Sequence, residues 1–231
     1  MSSYPPDLKA RLKSSYDAIA PTYNAWTTAH SSLRTQYLSK LLALLPRNES
    51  QSTPLAVLEL GCGAGIPVTE TLASSPDGLA IHVTANDLSS TQIALGQARL
   101  APHADRVTWL PGDMMGLDFA DGSFDAIVAL YSVIHLPREE QDILMGRIAK
   151  WLKPGGVVLV NFAGEDVKEA TIEKWLGCDE GWMFWSGWGA EATLEKIKGG
   201  AGLEVVLGEV VKEQEDVDAA FLWVIAKAPA L

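Results

Sequence analysis

The chain has 231 residues, 48% of them hydrophobic, which suits one large domain or two small ones with a sizeable core. Against 29 Asp and Glu it carries only 18 Lys and Arg, a formal net charge of −11; this opposes binding to phosphate backbones and excludes DNA or RNA as an expected partner. Its two cysteines, Cys62 and Cys178, give neither a disulfide framework nor a zinc spacing, the N-terminus has no apolar signal region, and no window approaches a membrane span. A cytoplasmic protein that does not touch membranes is the expectation.

A helix is expected over residues 6–19, started by Pro5-Pro6, with Leu8, Leu12, Ala18 and Ile19 on a partial apolar face. Pro21 is expected to stop it and to leave Tyr23 and Trp26 in irregular chain. A second helix over 31–45 ends at Pro46, and the polar stretch 47–53 is a connector. Apolar strand cores at 55–60, 80–86, 106–110, 124–131 and 156–162 then alternate with helical patterns at 66–74, 89–101 and 138–152. Nearly unbroken apolar strands alternating with helices indicate a doubly wound, mostly parallel sheet. Residues 153–156 form a turn before the fifth strand. Helical patterns recur at 166–176 and 190–199. Strands at 203–211 and 219–228 lie too close for a crossover, so they form a hairpin and one strand is antiparallel. The organisation is an N-terminal helical extension, residues 1–50, and an α/β domain, 51–231.

The run Val57-Leu58-Glu59-Leu60-Gly61-Cys62-Gly63-Ala64-Gly65 carries the most information. An apolar strand ends in an acid, three alternate glycines follow, and a helix opens after them, as at a nucleotide site on the carboxyl end of a parallel strand. A dinucleotide fingerprint wants Gly-x-Gly-x-x-Gly, with a pyrophosphate on the helix N-terminus. Here the third glycine comes one residue early, and Glu59 would repel a pyrophosphate but attract an ammonium group. The competing reading is a tight strand–helix turn without a ligand.

Two further acids follow strand ends. Asp87 lies about 20 residues past the loop, where a carboxylate takes ribose hydroxyls; the bland alternative is a helix cap, shared with Ser89. Gly112-Asp113-Met114 follows the third strand, where a carboxylate could accept from a purine amine or simply close a turn.

With Phe124-Asp125 and Leu152-Lys153-Pro154-Gly155-Gly156 in order behind them, these motifs make residues 55–162 resemble the class I S-adenosylmethionine-dependent methyltransferases. The resemblance implies a Rossmann-like seven-stranded sheet with its last strand antiparallel and S-adenosylmethionine as cofactor. It implies that Glu59 and the loop residues Gly61, Cys62, Gly63 and Gly65 hold the methionine moiety. Asp87 with Leu88 would hold the ribose, and Asp113 with Met114 the adenine. Residues 131–135, from Tyr131 to His135, would line the methyl-transfer face. The stretch from Tyr16 through Tyr23 to Trp26 also resembles the lead-in of small-molecule members, which implies an N-terminal lid whose tyrosines fold over the cofactor.

His135 ends the fourth strand's loop at the mouth of the crevice. It reads as pocket lining ahead of a general base; His30 is a second candidate base. Trp182, Phe184, Trp185 and Trp188, among glycines, read either as an aromatic wall for a flat or cationic substrate or as a plug that packs a loop on the sheet. Trp26 is a candidate for the same wall. No cluster of ligating side chains suggests a metal. The function expected is in-line transfer of a methyl group to an O, N or S nucleophile of a small, aromatic-type metabolite. The rivals are a catalytically silent cofactor-binding partner protein and a nicotinamide oxidoreductase, against which Glu59 and the glycine spacing argue.

Overall fold

A computed structural model describes residues 4–46, 53–74, 78–213 and 219–230. Three helices open the chain: α1 (Leu8–Ala18), α2 (Ala20–Ala29) and α3 (Ser32–Leu42). Then follow β1 (Leu55–Leu60), α4 (Val68–Ser74), β2 (Ile81–Asp87), α5 (Ser90–Arg99), β3 (Val107–Pro111), β4 (Phe124–Ala129), α6 (Arg138–Trp151) and β5 (Leu152–Ala163). The remainder is β6 (Asp166–Glu173), β7 (Trp182–Trp188), α7 (Ala190–Glu195), β8 (Glu204–Glu213) and β9 (Ala219–Lys227).

Seven strands form one sheet in the order β3-β2-β1-β4-β5-β9-β8. The first five are parallel, and β9 runs antiparallel to both β5 and β8. The strands read as continuous apolar runs because both faces are covered. In β1, Leu55 and Val57 pack with α3, α4 and α5, whereas Leu58 and Leu60 pack with α6 on the other side. The expected doubly wound sheet and C-terminal hairpin are both present. The 153–156 turn survives as an insertion: the pairing with β4 jumps from Leu152 opposite Phe124 to Val157 opposite Ala126, with Gly155 at φ +74.

Two expectations fail. The helical pattern at 166–176 is instead strand β6, paired antiparallel with β7 in a separate two-stranded sheet. Its Lys, Glu and Ala residues favour a helix, but β-branched Val167, Thr171 and Ile172 fit the ladder offered by β7, and that pairing overrides local preference. Pro21 does not leave irregular chain behind it: it sits in the first turn of α2, where its missing N–H costs nothing, so Tyr23 and Trp26 are helical. The 47–53 connector falls almost wholly outside the described residues.

A third apolar cluster, separate from both sheet faces, joins α1 to β7. Leu8, Leu12 and Ile19 are buried there against Trp182, Met183 and Phe184. The N-terminal helices and the β6–β7 hairpin thereby enclose the carboxyl edge of the sheet from two sides. Among the described residues no helix is long and apolar enough to cross a membrane.

Candidate active site

The loop after β1 is held by its backbone. Gly61 and Cys62 donate their N–H groups to the Asn86 carbonyl at 2.8 and 2.9 Å, which ties the loop to the end of β2. Gly61 has φ +77, and a Cβ there would lie 2.3 Å from Ser132 Cβ, so no other residue fits. The Gly63 N–H donates to Asp87 Oδ2 at 2.8 Å. Gly65 serves a different purpose. A Cβ on it would meet Leu100 Cδ1 at 3.1 Å and Trp109 Cη2 at 3.2 Å, so it allows the loop to pack under α5, and it lines no cavity of the site.

Asp87 has both oxygens aimed at backbone, since Oδ1 accepts from Ser89 N–H at 2.8 Å. Ser89 is the N-cap of α5, with its Oγ accepting from Gln92 N–H at 3.1 Å. Burial pushes the Asp87 carboxyl up to about 6; the two N–H donors oppose that rise, and the nearby Asp17 charge adds to it. Glu59 is buried at the end of β1 and accepts from Thr69 Oγ1 at 2.5 Å. Burial pushes its carboxyl up to about 8, against the Thr69 hydrogen bond. Asp113 accepts from Met115 N–H at 2.9 Å through Oδ1 and from Lys9 Nζ at 2.7 Å through Oδ2. Lys9, from α1, also pairs with Glu140 at 2.7 Å.

These groups surround a cleft of about 80 Å³ lined by Gly61, Gly63, Asp87, Leu88, Asp113 and Met114 beneath Lys9, Leu12 and Tyr16 of α1. A side pocket continues from it past Gly61 and Gly63 to Glu59, Cys62 and Arg34. Arg34 was not singled out from sequence. It is 5% exposed, donates Nη1 to the His30 carbonyl at 2.8 Å, and stacks its guanidinium 4.0 Å from the Tyr131 ring centre. Its signal was available: Arg34, Tyr37, Leu38 and Leu41 have the spacing of one buried helix stripe, and a cation within such a stripe needs a reason.

On the other side of Tyr131 lies a cavity of about 430 Å³. Its walls come from α2, β6, β7, β9 and the turn after β6, and include Trp26, Ile172, Trp175, Trp185 and Phe221. Four residues, Tyr16, Tyr23, Tyr131 and His135, line both this cavity and the 80 Å³ cleft. Tyr131 takes φ +54, a conformation that side chains disfavour, and its N–H donates to Asn161 Oδ1 at 2.6 Å. His135 Nδ1 lies 2.7 Å from the Phe184 carbonyl, which can only accept, so Nδ1 carries the proton. Nε2 therefore accepts from Tyr16 Oη at 2.8 Å. Burial lowers His135 to about 4, opposed by the Phe184 carbonyl, and the ring is neutral near pH 7.

The aromatic stretch divides by face. Trp185 lines the large cavity. Trp182 and Phe184 pack under α1, with Arg11 stacked 3.9 Å from the Trp182 ring. Trp188 lies between Arg138 and Lys196, whose charges sit 4.8 and 4.1 Å from its ring centre. The wall and plug readings thus apply to different residues of one strand. His30 stacks on Trp26 at 4.7 Å and donates Nδ1 to the Trp26 carbonyl, which leaves it behind the wall and outside the cavity. Trp175 and Phe221, which do line it, had no signal in the sequence; they are brought in by the hairpin that was expected to be helical and by β9.

α1 is fastened over the cleft. Asp17 accepts from Ser89 Oγ at 2.5 Å, Thr91 N–H at 3.1 Å and Lys13 at 2.5 Å. Burial alone would raise its carboxyl, but those donors prevail and hold it at about 2.

Residues 57–156 match a family model described as a methyltransferase domain. A sterol 24-C-methyltransferase of Yarrowia lipolytica is 35% identical over 105 residues, 45% of this chain and 26% of that protein. Methyltransferase GfsG of Streptomyces halstedii is 32% identical over 122 residues, 51% of this chain and 42% of that protein. The chain thus spans less than half the length of these curated relatives. Among solved structures, the 1,6-didemethyltoxoflavin-N1-methyltransferase of Burkholderia thailandensis, bound to 1,6-didemethyltoxoflavin and S-adenosylhomocysteine, has a TM-score of 0.73 at 17% identity, covering 99% of this chain and 92% of that one, a likeness of fold. Sheet order, the glycine loop with its three acids, and the matched segment agree: residues 57–156 are a methyltransferase domain, on a sheet of the class I S-adenosylmethionine-dependent type.

Proposed function

We propose that this chain transfers a methyl group from S-adenosylmethionine to a nucleophilic O, N or S atom of a small, largely apolar metabolite. The observation that carries the reading is the wall shared by the two cavities. Tyr16, Tyr23, Tyr131 and His135 stand where a cofactor on the glycine loop meets an acceptor in the 430 Å³ cavity.

The residues present fit the cofactor. Glu59 and Arg34 open on one side pocket and, once Glu59 is ionised, offer opposite charges to the ammonium and carboxylate of an amino acid. A carboxyl at about 8 is protonated in the free protein near pH 7, so Glu59 releases a proton as it takes up an ammonium group. Asp87 retains acceptor capacity for ribose hydroxyls beside its two N–H bonds. The 80 Å³ cleft is well below the ~300 Å³ of a small ligand pocket, because α1 is seated in it. The N-terminal helices therefore act as a lid. To admit a cofactor, Lys9 would have to leave Asp113 and α1 to shift outward, with the Asp17–Ser89 and Tyr16–His135 bonds as the contacts that yield.

When bound, the cofactor supplies an electrophilic methyl group and a neutral thioether leaving group. The protein aligns donor and acceptor and excludes water. Tyr16 and His135 hold the acceptor's hydroxyl or amine and can take its proton at Nε2 through the tyrosine oxygen. For a hydroxyl or thiol acceptor a weak base is enough, because its proton becomes strongly acidic as the atom is methylated. The acidic surface and the modest cavity favour a small molecule over a nucleic acid or protein.

Calorimetric titration with S-adenosylmethionine and S-adenosylhomocysteine, with NADH as control, is the test. The expected result is binding of both adenosyl ligands and none of NADH. Turnover of a panel of phenols, amines and thiols should then fall further in Tyr16→Phe than cofactor affinity does. Binding without turnover over the whole panel would favour the silent partner protein.

A further inference from the structure

The 174–178 turn is built at a conformational cost. Lys174 and Leu176 both take left-handed φ angles, 55° and 56°, although neither is glycine. Between them Trp175 is pinned by its backbone. Its N–H donates to the Gly181 carbonyl at 2.8 Å, its carbonyl accepts from Cys178 N–H at 3.2 Å, and a Cβ on Gly181 would lie 2.5 Å from that carbonyl. Backbone strain of this kind persists where the surrounding structure holds it, and gathers at ligand sites. Here it sets Trp175 and Leu176 into the wall of the large cavity. The Trp175 ring meets those of Tyr16, Tyr23, Trp26 and Trp185 at centroid distances of 6.2, 5.6, 5.9 and 6.2 Å, so it is the common member of the aromatic wall. The facing strand β6 is solvent-exposed and contributes Val167, Ala170 and Ile172.

The charges around the cavity are as informative as the rings. Among the described residues two charged side chains line it: Arg34, buried and shared with the Glu59 pocket, and Glu165, exposed at the rim. A cationic acceptor must lose its hydration beside a buried guanidinium. An anionic one must compete with the cofactor's carboxylate for the same group. An uncharged acceptor meets neither penalty.

We propose that the acceptor is a planar, uncharged molecule of fused-ring size that stacks on Trp175, and that the turn carrying Trp175 determines which acceptors fit. The location of this site rests on the methyl-transfer reading above; the charge and shape of its ligand are additional to that reading.

The test uses the full chain and three probes of one shape: 2-naphthol, 2-naphthoate and 2-naphthylmethylammonium. Each is titrated calorimetrically with and without saturating S-adenosylhomocysteine. The expected result is tightest binding of 2-naphthol. Trp175→Ala should weaken it by about tenfold or more, the scale of a lost aromatic contact plus its buried area. Ala170→Trp, on an exposed strand and therefore tolerant of bulk, should weaken it as much by filling the cavity, with S-adenosylhomocysteine affinity unchanged. The proposal is overturned if a charged probe binds as tightly as 2-naphthol, or if folded Ala170→Trp protein binds 2-naphthol undiminished. It is equally overturned if protein that binds S-adenosylhomocysteine takes up no 2-naphthol. Loss of the cofactor result alone, with Ala170→Trp-sensitive naphthol binding retained, sinks the methyl-transfer reading and leaves the ligand class standing.

Discussion

The glycine-loop cleft takes its polar groups from the carboxyl ends of parallel strands and the turns behind them: Glu59 near the end of β1 and the glycines after it, Asp87 ending β2, Asp113 after β3. The aromatic cavity beside it is assembled from α1, α2, β6, β7 and β9, elements scattered over the whole chain. In the first region, position follows from local backbone rules. A strand's end fixes where its next residues lie, and glycine fixes how they turn. In the second, each ring is placed only by tertiary packing, so the same residue type lines the cavity at Trp185 and lies away from it at Trp188. A substitution in the cleft should therefore damage folding and cofactor binding together, and one in the cavity should alter acceptor choice alone.

The sharpest contrast is Gly61→Val. The added Cβ meets Ser132 at 2.3 Å and the φ of +77 disfavours any side chain, so urea unfolding should show a loss of about 3 kcal/mol or more. Ser132→Gly in the same chain should restore only the steric part. Full stability in Gly61→Val would remove the claim that the loop is dictated by its backbone.

Next in size is Asp87→Ala. It strips acceptors from the Gly63 and Ser89 N–H groups as well as from the cofactor, and calorimetry should find S-adenosylhomocysteine affinity reduced by about 100-fold. Undiminished affinity would mean that the cleft is a structural turn.

A pH series separates the two regions without touching the acceptor side. Glu59 rises from its ordinary 4.5 to about 8 on folding, so the native chain keeps a proton that the unfolded chain releases. Stability of the free protein should fall as pH rises between those values, and affinity for the cofactor's ammonium should rise over the upper part of that window. Asp87 acts in the same sense up to about 6. In Glu59→Gln both trends should flatten above pH 6; if affinity in that variant still climbs towards pH 8, another group faces the ammonium.

The smallest effect belongs to Trp188→Leu. It removes the ring held by Arg138 and Lys196 on the side away from the cavity, so thermal stability should drop by about 1 kcal/mol with the acceptor's KM unaltered. A changed KM would show that the aromatic strand acts as a unit.

The same contrast explains what could be read beforehand. The sheet, its antiparallel hairpin, and Glu59, Gly63, Asp87 and Asp113 were legible because period, strand ends and turn chemistry are local. β6 was not, since its exposed Lys and Glu residues have helical preference and only β7 makes it a strand. Pro21 was misjudged because a proline ends one helix and starts another by the same chemistry, and the chain on either side decides which. Gly65 was legible as a necessary glycine but not as one that faces Leu100 and Trp109.

The partition of Tyr16, Tyr23, Tyr131 and His135 between the two cavities has a thermodynamic consequence. Any occupant that moves one of these side chains alters the affinity of both spaces, and such coupling is reciprocal: whatever factor the cofactor imposes on the acceptor, the acceptor returns to the cofactor. The order in which spent cofactor and methylated product depart is therefore set by how each rests against four rings.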